Sequence, residues 1–123
     1  MTRLMTSVAA LILSVAGAYA GPTMTAESAS GAMLTNDTGM TLYIFDKDTA
    51  GVSNCAAECV ANWPILAAMA DDKAEGDYTI IDRADGAKQW AYKGMPLYTF
   101  VKDTEAGDVY GDGVKDVWHI ARP

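Results

Sequence analysis

Gly39-Met40-Thr41-Leu42-Tyr43-Ile44-Phe45-Asp46-Lys47-Asp48-Thr49 returns 55 residues further on as Gly94-Met95-Pro96-Leu97-Tyr98-Thr99-Phe100-Val101-Lys102-Asp103-Thr104. Eight of the eleven positions are identical, and Trp63 and Trp118 keep the same offset with no gap between. A match that extends in register to a tryptophan well downstream marks two copies of one supersecondary unit. Each copy centres on a strand, because Leu42 to Phe45 and Leu97 to Val101 are rich in aromatic and β-preferring residues.

Working outward, Gly39 and Gly94 can supply turns from preceding strands, for which Ala32 to Asn36 and Gln89 to Tyr92 are the candidates. Tyr78 to Asp82 forms a further strand, joined to Gln89 to Tyr92 through Asp85-Gly86, a hairpin signal. The second copy therefore reads as a three-stranded meander. Downstream of the repeated strand the copies diverge. The first continues Ser53-Asn54-Cys55-Ala56-Ala57-Glu58-Cys59-Val60-Ala61-Asn62, a short helix that Ser53 or Asn54 can cap and that Pro64 stops. The second continues Gly107-Asp108-Val109-Tyr110-Gly111-Asp112-Gly113, too rich in glycine for a helix. The expected fold is mainly β, α+β at the margin: two duplicated antiparallel β-hairpin/meander units with one short Cys-containing helix.

The N-terminal end has a different character. Arg3, an apolar run from Leu4 to Val15, and Ala18-Tyr19-Ala20 give the charged, apolar and A-x-A order of a secretory signal, with cleavage expected after Ala20. The apolar run falls short of the ~20 residues that cross a bilayer. Residues 1–20 are thus assigned to the signal, 21–30 to a small, polar, flexible lead-in, and 31–123 to a single domain with repeats at about 31–64 and 78–119. The expected location is periplasmic or secreted, with no stable membrane anchor after cleavage. Sixteen acidic residues face nine basic ones, and loss of Arg3 leaves eight, for a balance of −8. Such a surface repels phosphate backbones, so nucleic acid is not an expected partner.

Few residues offer chemistry. Cys55 and Cys59, an even count in an exported chain, are read as a disulfide, one turn apart if both lie on the helix. A competing reading makes them thiolate ligands for copper with His119, the single histidine, or with Met40 or Met95. Asp108, Asp112 and Asp116 could offer oxygen ligands to calcium, although their spacing misses the order of a calcium loop. Alternation places Tyr43 with Phe45 and Tyr98 with Phe100 on one strand face each. These are read as core, with Asp48 and Asp103 accepting hydrogen bonds from turn amides. No nucleophile, base and orienting group share a readable spacing, so no catalytic residue is expected.

These residues together resemble a bacterial secreted-repeat family, also described as predicted lipoproteins and marked by a Y-x-(F/W/Y)-x-x-D motif. The motif appears as Tyr43-Ile44-Phe45-Asp46-Lys47-Asp48 and Tyr98-Thr99-Phe100-Val101-Lys102-Asp103. Family-like context extends through Cys55, Cys59, Trp63-Pro64, Asp85-Gly86, Gln89-Trp90 and Gly107-Asp108 to Trp118. The resemblance implies an exported domain of unknown activity, and Gly21 stands where lipidated members carry cysteine. The functional expectation is a non-enzymatic binding or envelope-associated module with no cofactor and with cell-envelope components as candidate partners. The alternative is a copper-binding or thiol-redox protein built on the C-x3-C pair.

Overall fold

A computed structural model describes residues 21–123, so the expected signal and its cleavage point after Ala20 lie outside the described residues. In chain order the elements are β1 Met24–Ser28, β2 Gly31–Thr35, β3 Tyr43–Phe45, α1 Glu58–Asn62, β4 Tyr78–Asp82, β5 Lys88–Tyr92, β6 Met95–Pro96, a 3-10 turn Val114–Asp116 and β7 Trp118–Ile120. The mainly β, duplicated architecture with one short helix is as expected.

The segment expected to be a flexible lead-in is instead largely a strand. β1 pairs antiparallel with β2, Met24 opposite Thr35 and Ser28 opposite Gly31. Met24, Ala26 and Ser28 are half-buried while Thr25 and Glu27 face solvent. That period of two was concealed because the inward residues are small or flexible and not β-branched. Thr23 is buried as well, its hydroxyl hydrogen-bonded to that of Tyr78.

β4, β5 and β6 form a meander as expected, but its third strand is Met95–Pro96 and not Leu97–Val101, where Tyr98 makes only single bridges to Tyr43 and Ile65 because Tyr98 pairs with the other copy. The first copy departs from expectation. β2 forms no regular ladder with the repeated strand: they are joined by the Thr35–Thr41 bridge, the Leu42 N–H bond to the Leu34 carbonyl, 3.0 Å, and the Thr41 hydroxyl on Met33 Sδ, 3.7 Å. β3 pairs with β7, from the far end of the second copy: Tyr43 opposite Ile120, Phe45 opposite Trp118.

Several of the backbone hydrogen bonds that tie the copies together come in pairs related by the repeat offset. Tyr43 N–H donates to the Tyr98 carbonyl at 2.7 Å, and Tyr98 N–H donates back to the Tyr43 carbonyl at 3.0 Å. Asp46 N–H to the Val117 carbonyl, 2.8 Å, is mirrored by Val101 N–H to the Asn62 carbonyl, 3.0 Å. Ala121 N–H to the Leu42 carbonyl, 2.8 Å, is mirrored by Leu66 N–H to the Leu97 carbonyl, 2.9 Å. A pseudo-two-fold axis therefore passes between Tyr43 and Tyr98. The closing segment of each copy crosses over to complete the strand of the other.

The principal core lies on this axis. Phe45, Trp118, Trp63 and Phe100 form a stack of four rings, with centroids 4.2, 3.8 and 4.0 Å apart and interplanar angles of 12°, 4° and 17°. Tyr43 meets Trp63 edge-on at 5.5 Å, and Tyr98 meets Trp118 edge-on at 5.2 Å. Such aromatic pairs contribute about 0.5–1.5 kcal/mol each beyond the area they bury. Gly111 closes over the stack where only glycine fits, since a Cβ there would lie 2.8 Å from Tyr43 Cζ and 2.9 Å from Trp63 Cζ3. A second cluster, comprising Leu34, Leu42, Tyr78, Trp90, Leu97 and Ala121, fills the space beneath the meander.

Candidate functional site

The motif residues fold into two reciprocal polar clusters within this core. Tyr43 donates its hydroxyl to Asp103 Oδ2 at 2.6 Å, and Tyr98 donates to Asp48 Oδ2 at 2.7 Å. The tyrosine of each motif is therefore bonded to the aspartate of the other copy. The second oxygen of each carboxylate accepts a turn amide, as expected: Asn54 N–H to Asp48 Oδ1, 2.6 Å, and Tyr110 N–H to Asp103 Oδ1, 2.9 Å. Tyr43, Phe45, Tyr98 and Phe100 are all buried, and both aspartates are only 6% exposed.

One cluster carries a cation and the other does not. Arg83, buried at the end of β4, donates to Ser53 Oγ at 2.7 Å, Gln89 Oε1 at 2.8 Å and the Cys55 carbonyl at 2.8 Å. It also forms an ion pair with Asp85, 3.0 Å. Ser53 is hydrogen-bonded in turn to the Tyr98 hydroxyl, 2.6 Å, and Gln89 Nε2 donates to the Leu97 carbonyl, 2.9 Å. The charge of Arg83 acts favourably on Asp48, whereas Asp103 feels the like charge of Asp108. Neither Arg83 nor Gln89 was singled out from the sequence for such a role. The available signal was parity, because Arg83 follows the buried Ile81 by two residues and so falls on the same face.

Burial dominates the protonation of these groups. It pushes Tyr43 and Tyr98 well above the usual phenol range, and the carboxylate each one bonds pushes further in the same direction. Burial also raises Asp48 and Asp103 above the ordinary 3.8, against the lowering effect of the amide and tyrosine hydrogen bonds they accept. In all four cases the folded state holds its proton more tightly than the unfolded chain. Their contribution is therefore full below the unfolded pKa and lost as pH rises through the folded one. For the tyrosines the loss begins above about pH 10. Stability is expected to fall steeply there, and absorbance at the phenolate band should show Tyr43 and Tyr98 ionising only together with unfolding. For the aspartates the same sign makes acidification from neutral pH towards 3.8 favourable at these two sites.

Cys55 and Cys59 are joined by a disulfide, with Cα atoms 5.2 Å apart. Only Cys59 lies on α1; Cys55 precedes it, so the bond ties the approach of the helix to its first turn. The expected caps are employed elsewhere, Ser53 on Tyr98 and Asn54 on the Lys47 carbonyl, and Ala57 begins the helix without a side-chain cap. His119, on β7, places Nε2 2.8 Å from Asp46 Oδ2. Asp108 accepts the amides of Thr104 and Glu105 at 2.9 and 3.0 Å, and Asp112 accepts Ile120 N–H at 3.2 Å. Asp116 sits in the 3-10 turn. Among the described residues no three His, Cys, Asp or Glu side chains converge as a metal ligand set. The structure thus brings together neither Cys55, Cys59 and His119 nor Asp108, Asp112 and Asp116.

The two dissimilar connections meet at a groove of about 410 Å³. It is lined by the buried Trp63, Trp118 and Phe45, by Cys59 and Val117, and by the exposed Lys47, Lys115 and Glu58. Lys115 and Asp116 both have left-handed backbones, with φ of 53° and 61°. Each such residue costs on the order of 1–3 kcal/mol. A second cavity, about 340 Å³, lies among Leu34, Tyr78, Tyr92 and Pro123, and its wall includes Gly21, the first described residue.

Two copies of one motif, each closed by the other around a shared aromatic stack, define a duplicated β-repeat domain with an intrachain disulfide. A family model for a secreted repeat of unknown function, Lipoprotein_15, matches residues 24–67 and 79–122, and the chain belongs to this family. The matched repeats begin at β1 and not at residue 31, in keeping with the strand found there. No curated protein and no solved structure matches the chain. Among the described residues no helix is long and apolar enough to cross a membrane.

Proposed function

We propose that this is a non-enzymatic binding module of an exported protein, released to the periplasm or exterior by cleavage after Ala20, that engages cell-envelope components through the groove over the tryptophan stack. The observation that carries this reading is the division of labour between shared and divergent residues. The Tyr and Asp polar atoms of both motifs are consumed in holding the copies together, while the groove over the repeated Phe45, Lys47, Trp63 and Trp118 takes the rest of its lining from the two unlike connections. The tryptophans and Cys59 suit an apolar ring, and Lys47 and Lys115 favour an anionic group upon it. Two lysines outweigh one glutamate, Glu58, along the groove lining, and charges farther than about 8 Å are largely screened at physiological ionic strength.

The test is a titration of 2-naphthoate against 2-naphthylmethylammonium, followed by the indole N–H signals of Trp63 and Trp118. The anion is expected to shift both signals, and charge reversal at both lining lysines, K47E with K115E, should weaken it about tenfold, or ~1.4 kcal/mol. Equal binding of the two probes, or an unchanged affinity in the variant, would remove this reading.

A second reading, thiol-redox or copper chemistry, rests on Cys59 lining the groove. It requires the disulfide to open first, with thiolates then available to a soft metal. Stoichiometric Cu(I) binding after reduction, abolished in a Cys55→Ser, Cys59→Ser variant, is the result that would favour it.

A further inference from the structure

We propose that two copies of this chain pair by exchanging repeats, the second repeat of each chain closing the first repeat of the other, with Met69–Asp77 as the hinge. The two halves meet through the offset hydrogen-bond pairs, the crossed tyrosine–aspartate bonds and the four-ring stack. Those contacts join residues up to Ala67 with residues from Tyr78 onward. Nothing in them depends on the two halves belonging to one chain.

The connection between the halves is built to permit this. Every residue from Met69 to Asp77 is exposed. Hydrogen bonds in the segment are mostly local turns: Asp72 N–H to the Met69 carbonyl, 3.1 Å, Met69 N–H to Asp72 Oδ2, 2.7 Å, and the Glu75–Tyr78 pair at 2.9 Å each way. Straightening it sacrifices those turns; Tyr78 stays on β5 of its own half, while the Ala68 N–H bond to the Lys88 carbonyl, which joins the two halves, is remade with the other chain. Extended, the nine residues from Met69 to Asp77 span at most about 30 Å, enough to carry one half to a neighbouring chain.

An exchanged pair contains two complete closures, as do two separate chains, so the contacts cancel in the comparison. Concentration decides the rest, because a short flexible tether acts like a roughly millimolar local concentration of the second repeat. Dilute chains therefore close on themselves, and crowded chains folding together exchange.

The partnership of β3 and β7 supplies the test, since Ile44 and His119 lie directly opposite one another. One full-length chain carries Ile44→Cys and another carries His119→Cys. The two are unfolded without reductant at mildly acid pH, so that the native disulfide is retained, then refolded together at roughly millimolar concentration and oxidised. Exchange brings one new thiol of each chain together and yields a covalent heterodimer of twice the single-chain mass. Its yield should rise with concentration and vanish on refolding at a thousandfold dilution. The double variant in a single chain, I44C with H119C, establishes that the pair can bond within a folded domain. If that intrachain bond forms while the mixed single variants give no heterodimer, the proposal is overturned. It is equally overturned if the Ile44→Cys chain links as readily to a chain bearing Thr25→Cys on the exposed face of β1.

Discussion

Replacing Trp118 with alanine is expected to lower the unfolding free energy by about 3–5 kcal/mol, the range for deleting a large aromatic side chain from a packed core. Trp118 is 3% exposed and touches three rings, stacking on Phe45 and Trp63 and taking the edge of Tyr98. Its removal opens the centre of the four-ring stack from a position that also belongs to β7, so the strand completing the first copy loses its anchor. Single domains of this size have only about 5–15 kcal/mol in total. The variant should therefore unfold at a much lower urea concentration, measured by far-ultraviolet circular dichroism. The pseudo-two-fold axis makes a stronger demand. Trp63→Ala should cost a similar amount, and the two losses should not add, because each ring is a principal neighbour of the other. Additive losses would contradict the shared stack.

Arg83→Met is expected to cost about 3–5 kcal/mol, the usual consequence of removing one member of a buried charged network. Methionine preserves much of the aliphatic bulk, so the loss reports the guanidinium. Without it the Cys55 carbonyl and Gln89 Oε1 lose their donor, and Asp48 becomes a buried carboxylate with no cation nearby. Lysine should rescue little, since one ammonium cannot reproduce the forked bonds to Ser53, Gln89 and Cys55. Adding Asp48→Asn to Arg83→Met should recover part of the loss, because the amide carries no charge to strand. The same Asn substitution in an otherwise unaltered chain should destabilise. A double-mutant cycle in urea denaturation measures that coupling.

How far the sequence foretold this arrangement depends on which residues are considered. The offset between the copies, the strand at Tyr43, the hairpin beginning at Tyr78 and the disulfide were legible, whereas the strand expected at Leu97 to Val101 is reduced to single bridges at Tyr98. Crossed closure was not. When two copies carry the same strand and the same tryptophan, a strand can pair with the closing segment of its own copy or the other's, and one-dimensional pattern is blind to the choice. Only three-dimensional reach settles it, as in the bond from Asp46 N–H to the Val117 carbonyl. β1 was missed because its inward residues, Met24, Ala26 and Ser28, carry little hydrophobic contrast. Ser53 and Asn54 are good caps by type and so predict an earlier helix start than Glu58, yet their side chains serve Tyr98 and Lys47. A lone arginine beside a turn reads as solvated, and nothing in the sequence near Arg83 points to Ser53, Cys55 and Gln89 as its partners.

The crossed tyrosine–aspartate bonds also bear on how such a chain can lengthen. Each copy leaves a strand awaiting a closing segment and offers a closing segment that its own strand does not use. Two copies cancel these needs; three would leave one raw edge and one idle flap, with a buried tyrosine lacking its carboxylate. Copy number in proteins assembled from this unit should accordingly grow in twos, and a chain with an odd number must find its missing half in another molecule.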